Sequence, residues 1–194
     1  MKKIEKVLIL LTAILIFNTN SFAQSGNCVK QGNAIIDAYY GYPYITGAII
    51  KSVSNSASSV KNLNHIGGRA EFMISDKVGL GVEFTFANAS ISYNDSANLN
   101  QYTLGVRKYR ILGKMNYHFA TTESIDPYFT IGAGLKKTTF YDNGTSDNEF
   151  SFNLIPVAIR FGVGVRYFFN DFIGLNAEVG LGGPLMQVGV SVKF

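Results

Sequence analysis

Apolar and polar residues alternate one by one along most of this chain, as residues 78–86 illustrate. One set of alternate positions in that stretch is entirely apolar and consists of Val78, Leu80, Val82, Phe84 and Phe86. The other set mixes glycine with polar side chains and consists of Gly79, Gly81, Glu83 and Thr85. Because successive side chains of a β-strand point to opposite faces, this pattern predicts a strand with one apolar and one polar face.

Repetition of the pattern predicts an all-β chain. The predicted strands are residues 33–43, 63–74, 77–88, 102–119, 127–139, 153–169, 172–182 and 185–194. Many of them have about the 9–11 residues that a tilted membrane-spanning strand requires. Short joins alternate with long connections rich in Asn, Ser and Asp, which are residues 44–62, 89–101 and 140–152. This alternation is typical of an eight-stranded antiparallel up-and-down transmembrane β-barrel whose short turns lie in the periplasm.

The polar faces of two further strands indicate which way the apolar faces point. In residues 157–167 the polar face holds Arg160 and Arg166 among glycine and alanine, and in residues 173–181 it holds Glu178. Glycine weakens a strand and is a poor choice for a face in water. A narrow lumen, in contrast, needs small residues beside long charged ones. The pattern therefore predicts that the apolar faces contact lipid and that the charges lie in the lumen.

The lumen of an eight-stranded barrel is just wide enough for side chains to fill it. The predicted charged network consists of Arg69, Glu71, Glu83, Arg110, Lys114, Lys136, Arg160, Arg166 and Glu178. Other inward titratable positions are Asp37, His65, His118 and Lys193. Because an unpaired buried charge costs several kcal/mol, we expect acids and bases to pair. The predicted partners of Glu71 and Glu83 are Arg69, Arg110 and Lys114. Basic residues outnumber acidic ones, which leaves a narrow anion channel as an alternative.

The first residues have the features of an export signal. Three lysines within Met1–Lys6 precede an apolar run, Val7–Phe17, and Ser21–Ala23 supplies small residues at the cleavage positions. The run has about 11 residues, whereas a membrane-spanning helix needs about 20. We therefore expect a signal peptide, residues 1–23, to be removed and to leave one domain, residues 24–194.

Charge and cysteine content argue against two other classes of protein. The chain has 17 basic and 13 acidic residues, and the predicted signal carries three of the basic and one of the acidic ones, so the mature charge is only +2. A nucleic-acid-binding role therefore has little electrostatic support. The single cysteine, Cys28, excludes an internal disulfide framework and is predicted to be an unpaired thiol in a flexible leader.

The two histidines offer little for metal or acid–base chemistry. The predicted strands place His65 and His118 at opposite ends of the barrel, roughly a membrane thickness apart at ~3.3 Å per residue. They cannot share a zinc ion or act as a pair. We therefore expect no metal site, no catalytic residue and no cofactor.

The last strand ends in a pattern that resembles the C-terminal assembly signal of bacterial outer-membrane proteins. That signal has a polar residue, a glycine two residues later and apolar residues at the third-last and last positions, here Gln187, Gly189, Val192 and Phe194. The chain from about residue 33 onward resembles the small eight-stranded outer-membrane barrels, the group of OmpX and the membrane domain of OmpA. The resemblance implies a monomer in the bacterial outer membrane whose partners are lipid, lipopolysaccharide and the outer-membrane assembly machinery.

The resemblance leaves three functions open. The favoured one is a structural or surface-interaction scaffold whose three long loops bind a surface ligand. The second is a small-solute channel. The third is a lipid-modifying enzyme similar to the lipid A deacylases, but neither His65 nor His118 is followed two residues later by the serine of that family's motif. Arg107 and Lys108, near the outer rim, are candidates for contact with lipopolysaccharide phosphates.

Overall fold

The computed structural model describes residues 26–42, 59–94, 101–142, 148–151 and 156–194. The strands are β1 (Ala34–Tyr42), β2 (Ser59–Met73), β3 (Val78–Asn94), β4 (Gln101–His118), β5 (Ile125–Asp142), β6 (Asn148–Ser151), β7 (Val157–Phe168), β8 (Ile173–Leu181) and β9 (Met186–Lys193). The predicted signal peptide, residues 1–23, lies outside the described residues. Within those ranges, no helix has the length and apolar character needed to cross a membrane.

The strands form one closed, antiparallel barrel. Strands pair in chain order, and β1 pairs with β9 to close the seam, for example through Ala38 opposite Val190. β6 and β7 both pair with β5, β6 opposite its last four residues and β7 opposite Ile125–Leu135. β6 and β7 therefore count as one strand of the barrel wall, and the wall has eight strands in all. The predicted eight-stranded antiparallel barrel is confirmed.

The short connections β2–β3, β4–β5 and β7–β8 lie together at one end, which we call the turn end, and the opposite end, which also carries the short β8–β9 connection, is the loop end. Side chains tighten the turns. Asn170 Oδ1 accepts hydrogen bonds from the backbone N–H groups of Phe172 at 3.1 Å and Ile173 at 2.8 Å. Ser75 Oγ accepts one from the N–H of Val78 at 3.1 Å. Because these oxygens replace backbone acceptors, a few residues are enough to reverse the chain.

The apolar faces of the strands point outward. In β3, Val82 is 57% exposed, whereas Glu83 beside it is 1% exposed. In β7, Phe161 is likewise exposed and Arg160 is buried. An apolar outside and a polar inside is the arrangement of a barrel surrounded by lipid. The orientation predicted from the alternation is confirmed.

Several strands extend farther toward the loop end than predicted. β3 and β4 continue into the predicted loop 89–101, β5 and β6 occupy part of the predicted loop 140–152, and β2 begins within the predicted loop 44–62. The ladder needs only backbone hydrogen bonds, and polar side chains add their own, such as Ser92 Oγ to Thr103 Oγ1 at 3.1 Å. The predicted loops are therefore too long; their remaining residues lie outside the described ranges.

Residues 28–33 lie across the turn end. The backbone N–H of Cys28 donates to the carbonyl of Thr122 at 2.7 Å, and Lys193 donates to the carbonyl of Cys28. Cys28 belongs to a buried apolar cluster with Val29, Ile35, Met73 and Phe168. The prediction of a flexible leader around Cys28 is wrong, because inward-facing apolar side chains at this end give the segment a surface to pack against.

Candidate functional site

Buried charged side chains fill the lumen. They are Asp37, Arg69, Glu71, Glu83, Arg110, Lys114, His118, Asp126, Arg160, Arg166 and Glu178. Glycine makes room for the larger groups that cross the barrel. A side chain at Gly164 would overlap the ring of Tyr128, and one at Gly79 would overlap the carboxylate of Glu71. The mixture of glycine and charge along the strands is thus a packing requirement of the lumen.

The layer nearest the turn end is centred on Arg166. Its guanidinium donates to Glu71 at 2.6 Å, to Asp37 at 3.0 Å and to Asp126 at 3.2 Å. His118 lies between two of these carboxylates, with Nδ1 2.7 Å from Asp126 and Nε2 3.0 Å from Glu71. Each member depends on several others, so loss of one leaves buried charges without partners.

Arg69 crosses the middle of the lumen. Its Nε donates to Asp37 at 2.5 Å, and its Nη1 donates to Glu178. The guanidinium also lies 5.4 Å from the ring centroid of Tyr39 and 5.7 Å from that of Tyr128. These distances are within the range of a cation–π contact. One side chain from β2 therefore connects β1 and β8 and packs between two tyrosines.

Glu178 is the acceptor on which this middle layer converges. Besides Arg69, its donors are Gln187 Nε2 at 2.6 Å, Arg160 Nε at 2.7 Å, Tyr128 Oη at 3.1 Å and Lys114 Nζ at 3.4 Å. The donors come from different strands of the wall. A carboxylate offers about four lone-pair sites, so this one is saturated.

Among the described side chains, the layer toward the loop end contains one carboxylate, Glu83. It accepts from Arg110 Nη2 at 2.8 Å and from Lys114 Nζ at 2.9 Å. Farther toward the loop end, Lys108 is the next inward residue of β4, and Lys136 of β5 lies opposite Arg110. Positive charge therefore increases along the lumen from the turn end to the loop end.

The structure brings together eight of the nine residues predicted for the lumen network, all in ion pairs. Lys136 is the exception and has no ion pair within the described chain. Glu83 contacts two of the bases named for it. Glu71 instead contacts Arg166 and His118, because its carboxylate reaches across the lumen and not along the adjacent strand.

Asp126 is a network residue that sequence reasoning missed. It directly precedes Pro127 and falls in a predicted turn, but β5 begins one residue earlier, and Asp126 is fully buried. The alternation could have identified Asp126 as an inward residue, because Asp126, Tyr128 and Thr130 share one face of the strand.

The residues of the predicted assembly signal lie along the seam. Gln187 is buried and binds Glu178, and Gly189 packs against the backbone of Ala38. Phe194 is 71% exposed, and its backbone N–H donates to the carbonyl of Ala34 at 2.8 Å. The signalling role of these residues stays a prediction.

Cys28 at the turn end is shielded from chemistry. Burial, assisted by the negative charge of Asp126, raises the pKa of its thiol to about 11. The thiolate that reacts with electrophiles or metals is therefore scarce at neutral pH. Among the described side chains, no three His, Cys, Asp or Glu residues are placed to hold a metal ion.

Comparison with protein families places residues 9–184 in the outer membrane protein beta-barrel domain. The chain belongs to the outer-membrane β-barrel family. The resemblance inferred from the C-terminal pattern and the alternation is confirmed. In outer-membrane β-barrels the short turns lie in the periplasm and the longer loops at the cell surface, which gives the turn end and the loop end their sides of the membrane.

Solved barrels with a similar fold include three proteins from two bacteria. The N-terminal β-barrel domain of Pseudomonas aeruginosa OprF has 17% identity and a TM-score of 0.48, covering 85% of this chain and 99% of that chain. P. aeruginosa OprG has 16% identity and a TM-score of 0.48, with coverage of 86% and 97%. Ail, the attachment invasion locus protein of Yersinia pestis, has 13% identity and a TM-score of 0.47, with coverage of 84% and 99%. The chain has no match among curated protein sequences.

Proposed function

We propose that this outer-membrane β-barrel is a non-conducting scaffold that presents its outer connections, between β1 and β2, β3 and β4, and β5 and β7, to a ligand at the cell surface. The filled lumen carries the proposal. Arg69, Arg166 and Tyr128 are buried and cross the interior. An eight-stranded barrel has little width beyond its own side chains. These paired side chains occupy the space that a solute path would need, and residues 28–33 obstruct the turn end.

Conductance separates the scaffold from the narrow anion channel. The purified barrel in planar lipid bilayers should show no steady current. Tyr128→Ala is the matched control, because it removes a large central side chain without removing an acid or a cation. That variant should show more frequent current openings. A stable, ion-selective current from the unmodified protein would contradict the scaffold and favour the channel.

Loop deletions test the surface role. Shortening the connection between β1 and β2 or that between β5 and β6 should preserve heat-modifiable gel migration and abolish binding to a panel of immobilised glycans and proteins. Glu83→Ala should do the reverse, because Arg110 and Lys114 lose their shared carboxylate while the loops stay intact. If Glu83→Ala lost binding while its stability stayed unchanged, that result would contradict the assignment of stability to the barrel wall and of binding to the loops.

The proposal includes no enzymatic activity. Both ring nitrogens of His118 are held by buried carboxylates, which is a structural arrangement. Mass spectra of lipid A from cells with and without the protein should be identical. A change in acyl composition that depends on His65 or His118 would establish the lipid-modifying alternative.

Lipopolysaccharide is the proposed partner of the outer rim. Arg107 lies over the ring of Tyr141 at 4.8 Å, on the face opposite Lys108, because adjacent side chains of a strand alternate. Arg107 is therefore the candidate for a lipid phosphate, and Lys108 belongs to the lumen. Arg107→Ala should weaken lipopolysaccharide retention by the purified barrel, whereas Lys108→Ala should not. Equal weakening would indicate a general charge effect.

The assembly machinery is the proposed partner of β9. Deleting Phe194 should lower outer-membrane abundance and increase periplasmic degradation. Phe172→Ala, which also removes an exposed phenylalanine at the turn end, is the control and should leave abundance unchanged. Equal abundance of the Phe194 deletion and the unmodified protein would remove the signalling role from this residue.

A further inference from the structure

Lys108 and Lys136 lie close together at the loop end of the lumen. The register places Lys136 opposite Arg110, and Lys108 is the next inward residue of β4. The charged neighbours that act most strongly on Lys108 are two other cations, Lys136 and Arg110. Within the part of the chain that the structure describes, neither lysine has a carboxylate partner.

Two arginines lie beneath these lysines. Arg110 donates to the carbonyl of Gly182, and Arg160 Nη1 donates to that of Pro184 at 3.2 Å, so both reach the β8–β9 connection. A side chain at Gly183 would collide with both guanidinium groups. Arg110 is 6% exposed, and its Nε has no hydrogen-bond partner in the described structure. This corner therefore holds a buried donor that no described residue satisfies.

The acids of the lumen do not neutralise the two lysines. The five described carboxylates of the network already contact five arginine or lysine side chains. Glu83, the acid of the layer below, is shared between Arg110 and Lys114. Lys108 and Lys136 therefore add positive charge without a counterpart. A recess with low-dielectric walls concentrates such a field and attracts small anions.

We infer that Lys108 and Lys136, with Arg110 behind them, form a binding site for a phosphate or sulfate group that enters from the loop end. Such a group brings negative charge and several strong acceptor oxygens to lysines that act as mobile point charges. The paired network and residues 28–33 close the other end, so the site is a blind recess. It does not depend on the surface binding proposed for the loops.

The test uses the mature barrel in a non-ionic detergent, with inorganic phosphate and inorganic sulfate as calorimetric probes. The double variant Lys108→Gln/Lys136→Gln should bind at least about tenfold more weakly. Lys137→Gln is the matched control. It removes one positive charge, where the double variant removes two, and this charge lies on the exposed outer face of β5. Its affinity should equal that of the unmodified barrel, and heat-modifiable migration verifies that each variant is folded.

Two further measurements complete the test. At equal ionic strength, phosphate in place of chloride should raise the thermal midpoint of the unmodified barrel but not that of the double variant. Glucose 6-phosphate binding more tightly than inorganic phosphate would support a sugar-borne phosphate as the ligand, and equal binding would support the free anion. Undetectable binding of every probe to the unmodified barrel, or the same loss in Lys137→Gln as in the double variant, would overturn the site.

Discussion

Charged side chains line the lumen at both the turn end and the loop end, but acids and bases balance each other only near the turn end. Near the turn end, Arg166 is surrounded by Glu71, Asp37 and Asp126. Near the loop end, neither Lys108 nor Lys136 has an ion pair in the described chain, and the strongest charged neighbours of Lys108 are Lys136 and Arg110. Pairing stabilises the section that must stay closed inside lipid. Unbalanced charge contributes nothing to closure, and it is the basis of the anion site proposed at the loop end.

The largest expected contrast between the two ends comes from neutralising one charge at each. Glu178→Gln removes the charge shared by Arg69, Arg160 and Lys114, and should cost about 3–5 kcal/mol of unfolding free energy. Lys136→Gln removes a charge without a partner and should change stability by less than about 0.5 kcal/mol. Urea unfolding in lipid vesicles measures both. Equal costs would show that the two ends are energetically alike.

A charge on the other face of the wall sharpens the comparison. Val82→Arg places a cation next to Glu83 in sequence but on the lipid side, where no carboxylate faces it. The expected cost is about 2–4 kcal/mol. Val82→Ala, which introduces no charge, should cost much less. Insertion of the arginine variant at full yield and stability would argue for a water-exposed outer face.

Double-mutant cycles should give opposite signs at the two ends. Neutral replacements of Arg69 and Asp37 should reveal a favourable coupling of about 1–3 kcal/mol, because the two groups share a short buried ion pair. The same cycle on Lys108 and Lys136 should give an unfavourable coupling of about 0.5 kcal/mol. Couplings of the same sign would remove the distinction between balanced and unbalanced layers.

The last expected effect concerns Cys28. Its thiol pKa is about 11 in the folded barrel against an ordinary value of 9.0, so folding favours the neutral thiol. The stabilisation is complete below about pH 9 and is lost as the pH rises through 11. The difference in unfolding free energy between the unmodified protein and Cys28→Ala should shrink over that interval. A constant difference would mean that the thiol is as accessible as in the unfolded chain.

The alternation within a strand predicted which way its side chains point. It did not predict which residues of other strands those side chains contact. The inward direction of Glu83 follows from its neighbours in sequence. Glu71 binds Arg166, 95 residues away and on another strand, and no local pattern contains that distance. Lys136 has the same inward parity as the paired bases, but its height above the acids is set by strand tilt and register. Its lack of an ion pair could therefore not be read from the sequence.

The strand ends show a second limit of the sequence. Polar residues such as Ser92 and Thr103 indicate a loop by composition, yet they pair across an antiparallel ladder. Cys28 and Val29 have too few apolar neighbours in sequence to predict burial. Their packing surface is assembled from distant residues such as Met73 and Phe168, and exists only once the barrel is closed.

The seam between β1 and β9 has a consequence for the order of events in biogenesis. Ser191 Oγ donates to Asp37 at 2.5 Å across 154 residues of chain, and Lys193 reaches the carbonyl of Cys28 across 165. The partners of Cys28 and Asp37 therefore leave the ribosome only after the other strands of the barrel have been synthesised. A chain that has not yet reached β9 cannot shield Asp37 from lipid, so insertion of the barrel has to wait until β9 has been made.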